Sequence, residues 1–203
     1  MCPHNHWNFR PRPSWAKPVR GFSALELLIV VAIVIIIAGM AIPKLMSMVQ
    51  NFRTAGDARD LNGTILMAKM RAASNFAQTR VHADLNAQTF WVEMEQSGAT
   101  SWTTEGGTQF LSTGVTFGLG SLSTPPSNTQ ASLAQAPACP GISNTACIVF
   151  NSRGIPVDST NTPTANDALY VTDGNSVTGV TVLATGLTQI WRSDASTANW
   201  NKR

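Results

Sequence analysis

Residues 22–42 read FSALELLIVVAIVIIIAGMAI, an apolar run in which Glu26 is the single charged residue. No polar face recurs within it, so it does not pattern as a surface helix. As a helix it would span about 31 Å, close to the hydrocarbon thickness of a bilayer. It is longer than a secretory h-region of about 7–15 residues, and no small-x-small cleavage site follows it. A membrane-spanning helix is predicted. Past Pro43 the pattern becomes periodic. Leu45, Met48, Val49 and Phe52 recur at steps of three and four, followed by Ala58, Leu61, Ile65, Ala68, Ala72 and Phe76. The two stripes are offset near Gly56, where a bend is expected. One helix over about 23–78 accounts for both halves. Residues 22–50 form the transmembrane or assembly part, and 51–78 lay an apolar stripe on a soluble domain. Arg53 and Asp57 stand at an i,i+4 spacing that adds a few tenths of a kcal/mol, roughly.

From residue 79 the chain turns rich in Thr, Ser, Val, Gly and Asn. Val81, Ala83 and Leu85 alternate and pair as a hairpin with the strand 89–95. Further strands are expected at 108–112, 114–119, 146–151, 154–158, 168–172 and 179–191. Residues 121–140 are polar and carry four prolines, and read as a loop. A long helix followed by short strands predicts an α+β fold, with the helix packed on an antiparallel β-rich domain over 79–203.

Charge sharpens the picture. The net charge is +3 over 203 residues, with 12% charged residues against about 25% in ordinary soluble domains. Residues 1–21 hold Arg10, Arg12, Lys17 and Arg20 and no acid. The remainder holds ten basic and eleven acidic groups. The basic character therefore belongs to the leader, and the body gives no general signal for nucleic acid. Lys17 and Arg20 before the span outweigh Lys44 and Arg53 after it, which predicts the N-terminus in the cytoplasm and the body outside. Glu26 is costly inside a span, about 2.5–3.5 kcal/mol at the membrane centre and less near the interface. Its place in the first turn recovers about 0.3–1 kcal/mol. Taken alone it reads either as an interfacial acid of an ordinary anchor or as a functional group.

The order of a basic leader, Arg20-Gly21, Phe22, Glu26, an unbroken apolar run and Pro43 resembles the N-terminus of type IV pilins and type II secretion pseudopilins, which carry class III signal peptides. The resemblance implies that residues 1–21 are a leader removed by a prepilin peptidase. The cut would fall between Gly21 and Phe22, with N-methylation of Phe22. Glu26 would then be the acid that pairs with the new amine of a neighbouring subunit during assembly. Gly39 and Pro43 mark either a simple kink or a stretch that unwinds on packing. The leader is longer than many of its kind, and a start codon assigned too far upstream is an alternative. Cys2 is no lipoprotein cysteine, since no apolar stretch precedes it, and His4-Asn5-His6 lies in a polar leader with no fold around it.

The stretch CIVFNSRGIPV over 147–157 resembles, more loosely, the strand–turn–strand of the GspH domain found in H-type pseudopilins and FimT/FimU minor pilins. The family implies a structural minor pilin of the type IV pilus. The alternatives are a minor pseudopilin of a type II protein secretion system and a DNA-receptor minor pilin. Its implied partners are the peptidase, other pilins or pseudopilins through the N-terminal helix, and the inner membrane. No cofactor is implied. Cys139 and Cys147 are the cysteines left after cleavage, and in an oxidising compartment a disulfide between them is expected, two free thiols being the alternative. Metal binding lacks a histidine pair to accompany them.

Catalytic chemistry finds little to build on. His82 is the one histidine outside the leader, and its alternating neighbours read it as a surface strand residue, so no Ser-His-Asp arrangement is expected and the protein is read as a non-enzyme. Asp158, Asp167 and Asp173 stand in Asn/Gly-rich settings as turn formers rather than calcium ligands. Gly118-Leu-Gly120 lacks the strand–turn–helix setting of a dinucleotide loop. DNA-receptor relatives carry a Gly-Arg-x-Arg motif, and here the corresponding Trp191-Arg192-Ser193 has one arginine. Arg192, Trp200, Lys202 and Arg203 are weak candidates for stacking and phosphate contacts; a solvated tail is the other reading.

Overall fold

Ser23 starts the long helix that the periodicity predicts. Its Oγ accepts the Glu26 backbone N–H at 3.1 Å, which makes it the N-cap, with the acid three residues on as in a capping box. In the computed structural model, which describes residues 21–95, 101–165 and 167–203, this helix (α1) runs over Ala24–Asn75. It stops at Phe76, whose φ of 52° is left-handed, and the Ala77 N–H closes the end on the Ala72 carbonyl at 3.3 Å. That turn ends the helix three residues short of the expected 78. The helix is continuous through Gly39, Pro43 and Gly56. The offset at Gly56 is thus no break; it marks where the apolar stripe passes from exposed (Met48, Phe52) to buried (Ala58, Leu61).

The chain divides into two units, residues 1–43 and 44–203. In the first, the described residues are the leading turns of α1, with the apolar side chains exposed. In the second, Ala58, Leu61, Ile65, Ala68 and Ala72 form the buried face, at the i, i+3, i+4 steps of a helix packed on a core. Three of these five are alanines, and small side chains let the helix backbone approach the sheets closely.

Two antiparallel five-stranded sheets share that core. The first is built from β1 (Thr79–Asp84), β2 (Thr89–Glu95), β3 (Trp102–Phe110), β5 (Thr145–Phe150) and β6 (Pro156–Val157), in the order β3-β2-β1-β5-β6. The second holds β4 (Thr116–Phe117), β7 (Asp167–Thr172), β8 (Ser176–Val182), β9 (Thr188–Asp194) and β10 (Thr197–Lys202), in the order β10-β9-β8-β7-β4. Val81, Ala83, Ile148 and Phe150 from the first sheet and Leu169, Val171, Val180 and Val182 from the second meet the helix in one cluster. The outcome is an α+β arrangement, as expected: a long N-terminal helix with an antiparallel β-rich domain.

Several strands differ from expectation. The single strand expected at 179–191 is two, β8 and β9, split by a turn in which the Gly186 N–H donates to the Leu183 carbonyl at 2.7 Å. Gly186 takes a φ of 70°, which a side chain would resist. The strand expected at 108–112 begins at Trp102, and that at 114–119 shrinks to the two residues of β4. The C-terminal residues are not a solvated tail: β10 pairs with β9, Asn201 opposite Arg192 and Lys202 opposite Trp191.

Residues 121–140 carry no strand, as expected, yet they have a structural task. Leu119, Leu122 and Leu133 cover a second apolar cluster around Ala168, Tyr170, Val177 and Ala195. Gln135 replaces a strand partner for β7. Its Nε2 donates to the Tyr170 carbonyl and its Oε1 accepts the Tyr170 N–H, both at 2.8 Å. The Gly118 N–H, just past β4, also donates to the Tyr170 carbonyl at 3.0 Å, so Gln135 adds the acceptor that the Tyr170 N–H needs there.

Candidate functional site

The N-terminal segment is the first candidate. Gly21 and Phe22 precede the helix in non-helical backbone, and Phe22 is 78% exposed. A peptide bond in such a segment needs no local unfolding to be reached. Glu26 sits one turn inside the helix, its own N–H held by Ser23. Leu25, Leu28, Ile29 and the other large apolar side chains up to Ile42 are all exposed in the single chain. A contiguous apolar surface of that length requires lipid or other helices to cover it. Among the described residues this is the helix long and apolar enough to cross a membrane. A Cβ at Gly39 would meet nothing within 4 Å. Cys2, His4, His6, Arg20 and the other residues of 1–20 lie outside the described residues.

The second candidate forms on the face of the first sheet opposite the helix. Hairpin register sets Arg80 opposite Glu93 and His82 opposite Trp91. Arg80 Nε lies 2.5 Å from Glu93 Oε2, His82 Nδ1 lies 3.3 Å from the same oxygen, and Trp91 Nε1 donates to Oε1 at 2.8 Å. The His82 ring stacks on Trp91 at 4.2 Å, and the Arg80 guanidinium lies 4.2 Å from the centre of the Trp102 ring. Burial works against a charged Glu93, but hydrogen bonds from His82, Trp91 and Arg80, with the Arg80 charge, outweigh it and hold its pKa at about 2. His82 is therefore not a surface residue as expected; it is 4% exposed. Alternation places it correctly on the outer face. What alternation omits is that Trp91 and the Cys139–Cys147 segment cover that face.

Cys139 and Cys147 are joined by a disulfide. The Cys147 N–H donates to the Pro137 carbonyl at 2.8 Å and the Cys139 N–H to Thr145 Oγ1 at 3.1 Å, so the bridge fastens the end of the covering loop to β5. The ligand atoms of His82, Cys139 and Cys147 lie within 4.8 Å of one another. With the sulfurs bonded to each other, neither offers the thiolate a metal would need.

The aspartates divide. Asp158 Oδ1 accepts the N–H groups of Thr160 and Thr162 at 2.8 and 3.0 Å, and Asp173 Oδ1 those of Asn175 and Ser176 at 2.9 and 2.7 Å, which makes both turn formers. Asp173 Oδ2 also accepts Thr54 Oγ1 at 3.2 Å, tying its turn to α1. Asp167 departs from expectation. It is buried in β7, and burial, together with the charge of Asp158, pushes its pKa up to about 6.

The four C-terminal candidates do not gather. Trp200 packs on Tyr170 at 5.8 Å and its Nε1 donates to the Thr124 carbonyl at 2.8 Å, on the face covered by the loop. Lys202 is exposed on β10. Arg192 lies on the helix side, where its Nη2 donates to Asn51 Oδ1 at 2.6 Å. Arg192 and Arg203 instead join Arg59 in a cleft of about 450 Å³ walled by Met48, Phe52 and Ile190. Sequence reasoning misses Arg59 here because nothing along the chain links residue 59 to residue 203.

No family model and no curated protein matches the chain. Among solved structures, the chain is similar to the minor pseudopilin EpsH from the Type 2 Secretion System of Vibrio cholerae. The likeness has 13% identity and a TM-score of 0.36, and covers 74% of this chain and 94% of that one.

Proposed function

We propose that the chain is a minor pilin of a type IV filament, made as a precursor and assembled through its N-terminal helix. In this reading residues 1–21 are removed by a prepilin peptidase between Gly21 and Phe22, and Phe22 is N-methylated. The helix from Phe22 holds the protein in the inner membrane with its body in the periplasm, and later packs among the helices of other subunits. The observation that carries the reading is the uncovered apolar stretch of α1 with its one acid, Glu26, directly after an exposed Gly21–Phe22 bond. Cutting that bond creates a cationic amine. A carboxylate in hydrocarbon is costly alone and far less so when paired, so a neighbour's amine against Glu26 acts as a register device. Gly39 and Pro43 weaken the helix where packing would unwind it.

The role is structural, not catalytic. His82, the one histidine of the mature chain, is engaged by Glu93 and Trp91. DNA uptake has less support, since Trp200 is packed on Tyr170, away from Arg192 and Arg203. The test is recovery of the protein from sheared filaments of wild-type cells and of cells carrying Glu26→Leu. Wild type should be present at low abundance and Glu26→Leu strongly depleted, with both equally abundant in the membrane. Equal incorporation of the two contradicts the pairing. Absence from pili combined with a protein-secretion defect on deletion assigns the chain to a type II secretion system.

A further inference from the structure

The cleft between the body half of α1 and the second sheet has a lining that calls for a particular occupant. Three of the ten cations outside the leader, Arg59, Arg192 and Arg203, line it, and no acid does. Among the described residues none of the three has a carboxylate within ion-pair distance. Thr178, also on the wall, is 3% exposed, and its Oγ1 is buried with no hydrogen-bond partner. A buried hydroxyl left unpaired is costly, so an acceptor brought into the cleft would be stabilised there. Asn51 Oδ1, which could have served as an acceptor for a ligand, is already taken by Arg192. The groups left for a ligand are therefore mainly donors: the guanidiniums of Arg59 and Arg203, and the N–H groups of Arg192 beyond the one that Asn51 takes, all forked to suit a carboxylate.

The opposite wall is apolar. Met48, Phe52, Ala55 and Arg59 succeed one another on one face of α1 over about 16 Å, and Phe52 is 71% exposed. Leu45 and Val49, also exposed, extend the apolar strip. An elongated helical strip ending at a cationic cluster matches another helix with apolar residues at i, i+3, i+4 and one acid among them. A run of phosphates would leave the aliphatic wall uncovered, and the body as a whole, with ten basic and eleven acidic groups, offers no track for one.

We propose that this cleft docks an amphipathic helix of another filament subunit, whose single carboxylate is received by Arg59, Arg192, Arg203 and the Thr178 hydroxyl. The inference rests on the assembly reading above and names the surface of the β-rich body that it leaves unassigned. The experiment uses the full chain in cells, with Phe52→p-benzoylphenylalanine as a photo-cross-linker and the adduct mapped by mass spectrometry. The expected adduct joins position 52 to a helical segment of another subunit, within a turn of an Asp or Glu. Arg59→Glu with Arg203→Glu should cut the yield about tenfold, as for loss of a close charge pair. Reversing the mapped acid to arginine should restore it. Arg59 and Arg203 are exposed, so these changes do not test folding, and Arg59→Lys with Arg203→Lys should keep most of the yield. A phospholipid adduct, no protein adduct, or a yield indifferent to charge reversal overturns the proposal. If the chain reaches filaments and yet shows none of the expected adduct, the docking site alone is wrong; if it never reaches filaments, the assembly reading is wrong.

Discussion

Tyr170 lies opposite Gly179 in the β7–β8 ladder, and its ring fills the space that a side chain at 179 would occupy. A Cβ added to Gly179 would land on Cδ1 and Cε1 of the ring. The tyrosine is fully buried; its Oη donates to Gln130 Oε1 at 2.7 Å, so it has little freedom to swing aside. Gly179→Ala is therefore expected to destabilise the body by about 1–3 kcal/mol through overpacking, and Gly179→Val by more. Denaturant titration of the full chain in detergent, followed by tryptophan fluorescence, reads this as a lower midpoint. An unchanged midpoint for Gly179→Val would show that the ring does not hold that position.

The Cys139–Cys147 bridge closes a short loop, and the chain-entropy argument assigns such a closure about 2.5–3 kcal/mol. Thiol titration of the denatured, unreduced mature protein should find no free thiol. Reduction, or Cys139→Ser with Cys147→Ser, should lower stability by about that amount and loosen the residues before Cys139 without unfolding β1 and β2. Two titratable thiols in the purified protein would contradict the bridge.

Asp167 and Glu93 bend the pH dependence of stability in opposite directions. The folded-state pKa of Asp167 is raised to about 6 from an ordinary 3.8, so the folded protein binds that proton more tightly than the unfolded chain does. Its contribution therefore weakens as pH rises from about 4 to 6, by up to about 3 kcal/mol. Glu93 is held at about 2 against an ordinary 4.5, so its contribution is complete above 4.5 and is lost as pH falls toward 2. Asp167→Asn should flatten the decline between pH 4 and 6 and stabilise the protein at pH 7. Loss of stability at pH 7 in that variant would mean that the ionised carboxylate is needed.

Most of the architecture is legible in local pattern. The 22–42 run, the 3- and 4-step stripe through Ala58, Leu61 and Ile65, and the alternation at Val81 and Ala83 each encode an element within a few residues of sequence. The failures are tertiary. Val182 to Thr188 reads as uninterrupted strand, because Gly186, at a φ of 70°, is the one turn-favouring residue in the turn of residues 183–187 between β8 and β9. His82 reads as exposed because alternation assigns a face and cannot say whether a loop and Trp91 cover it. The register of the 79–95 hairpin would pair Arg80 with Glu93, and that pairing is the signal by which the charged cluster could be found from sequence. Arg59 meets Arg192 and Arg203 only through the packing of α1 on the second sheet, a relationship of long sequence separation that no spacing rule carries.

The central claim is that maturation exposes a positive terminus four residues before Glu26. Intact-mass measurement with N-terminal sequencing of the protein recovered from filaments tests it most directly. The account predicts a chain that begins at an N-methylated Phe22 with residues 1–21 gone. Filament-borne protein that still carries the leader, or that begins at any other residue, would contradict it.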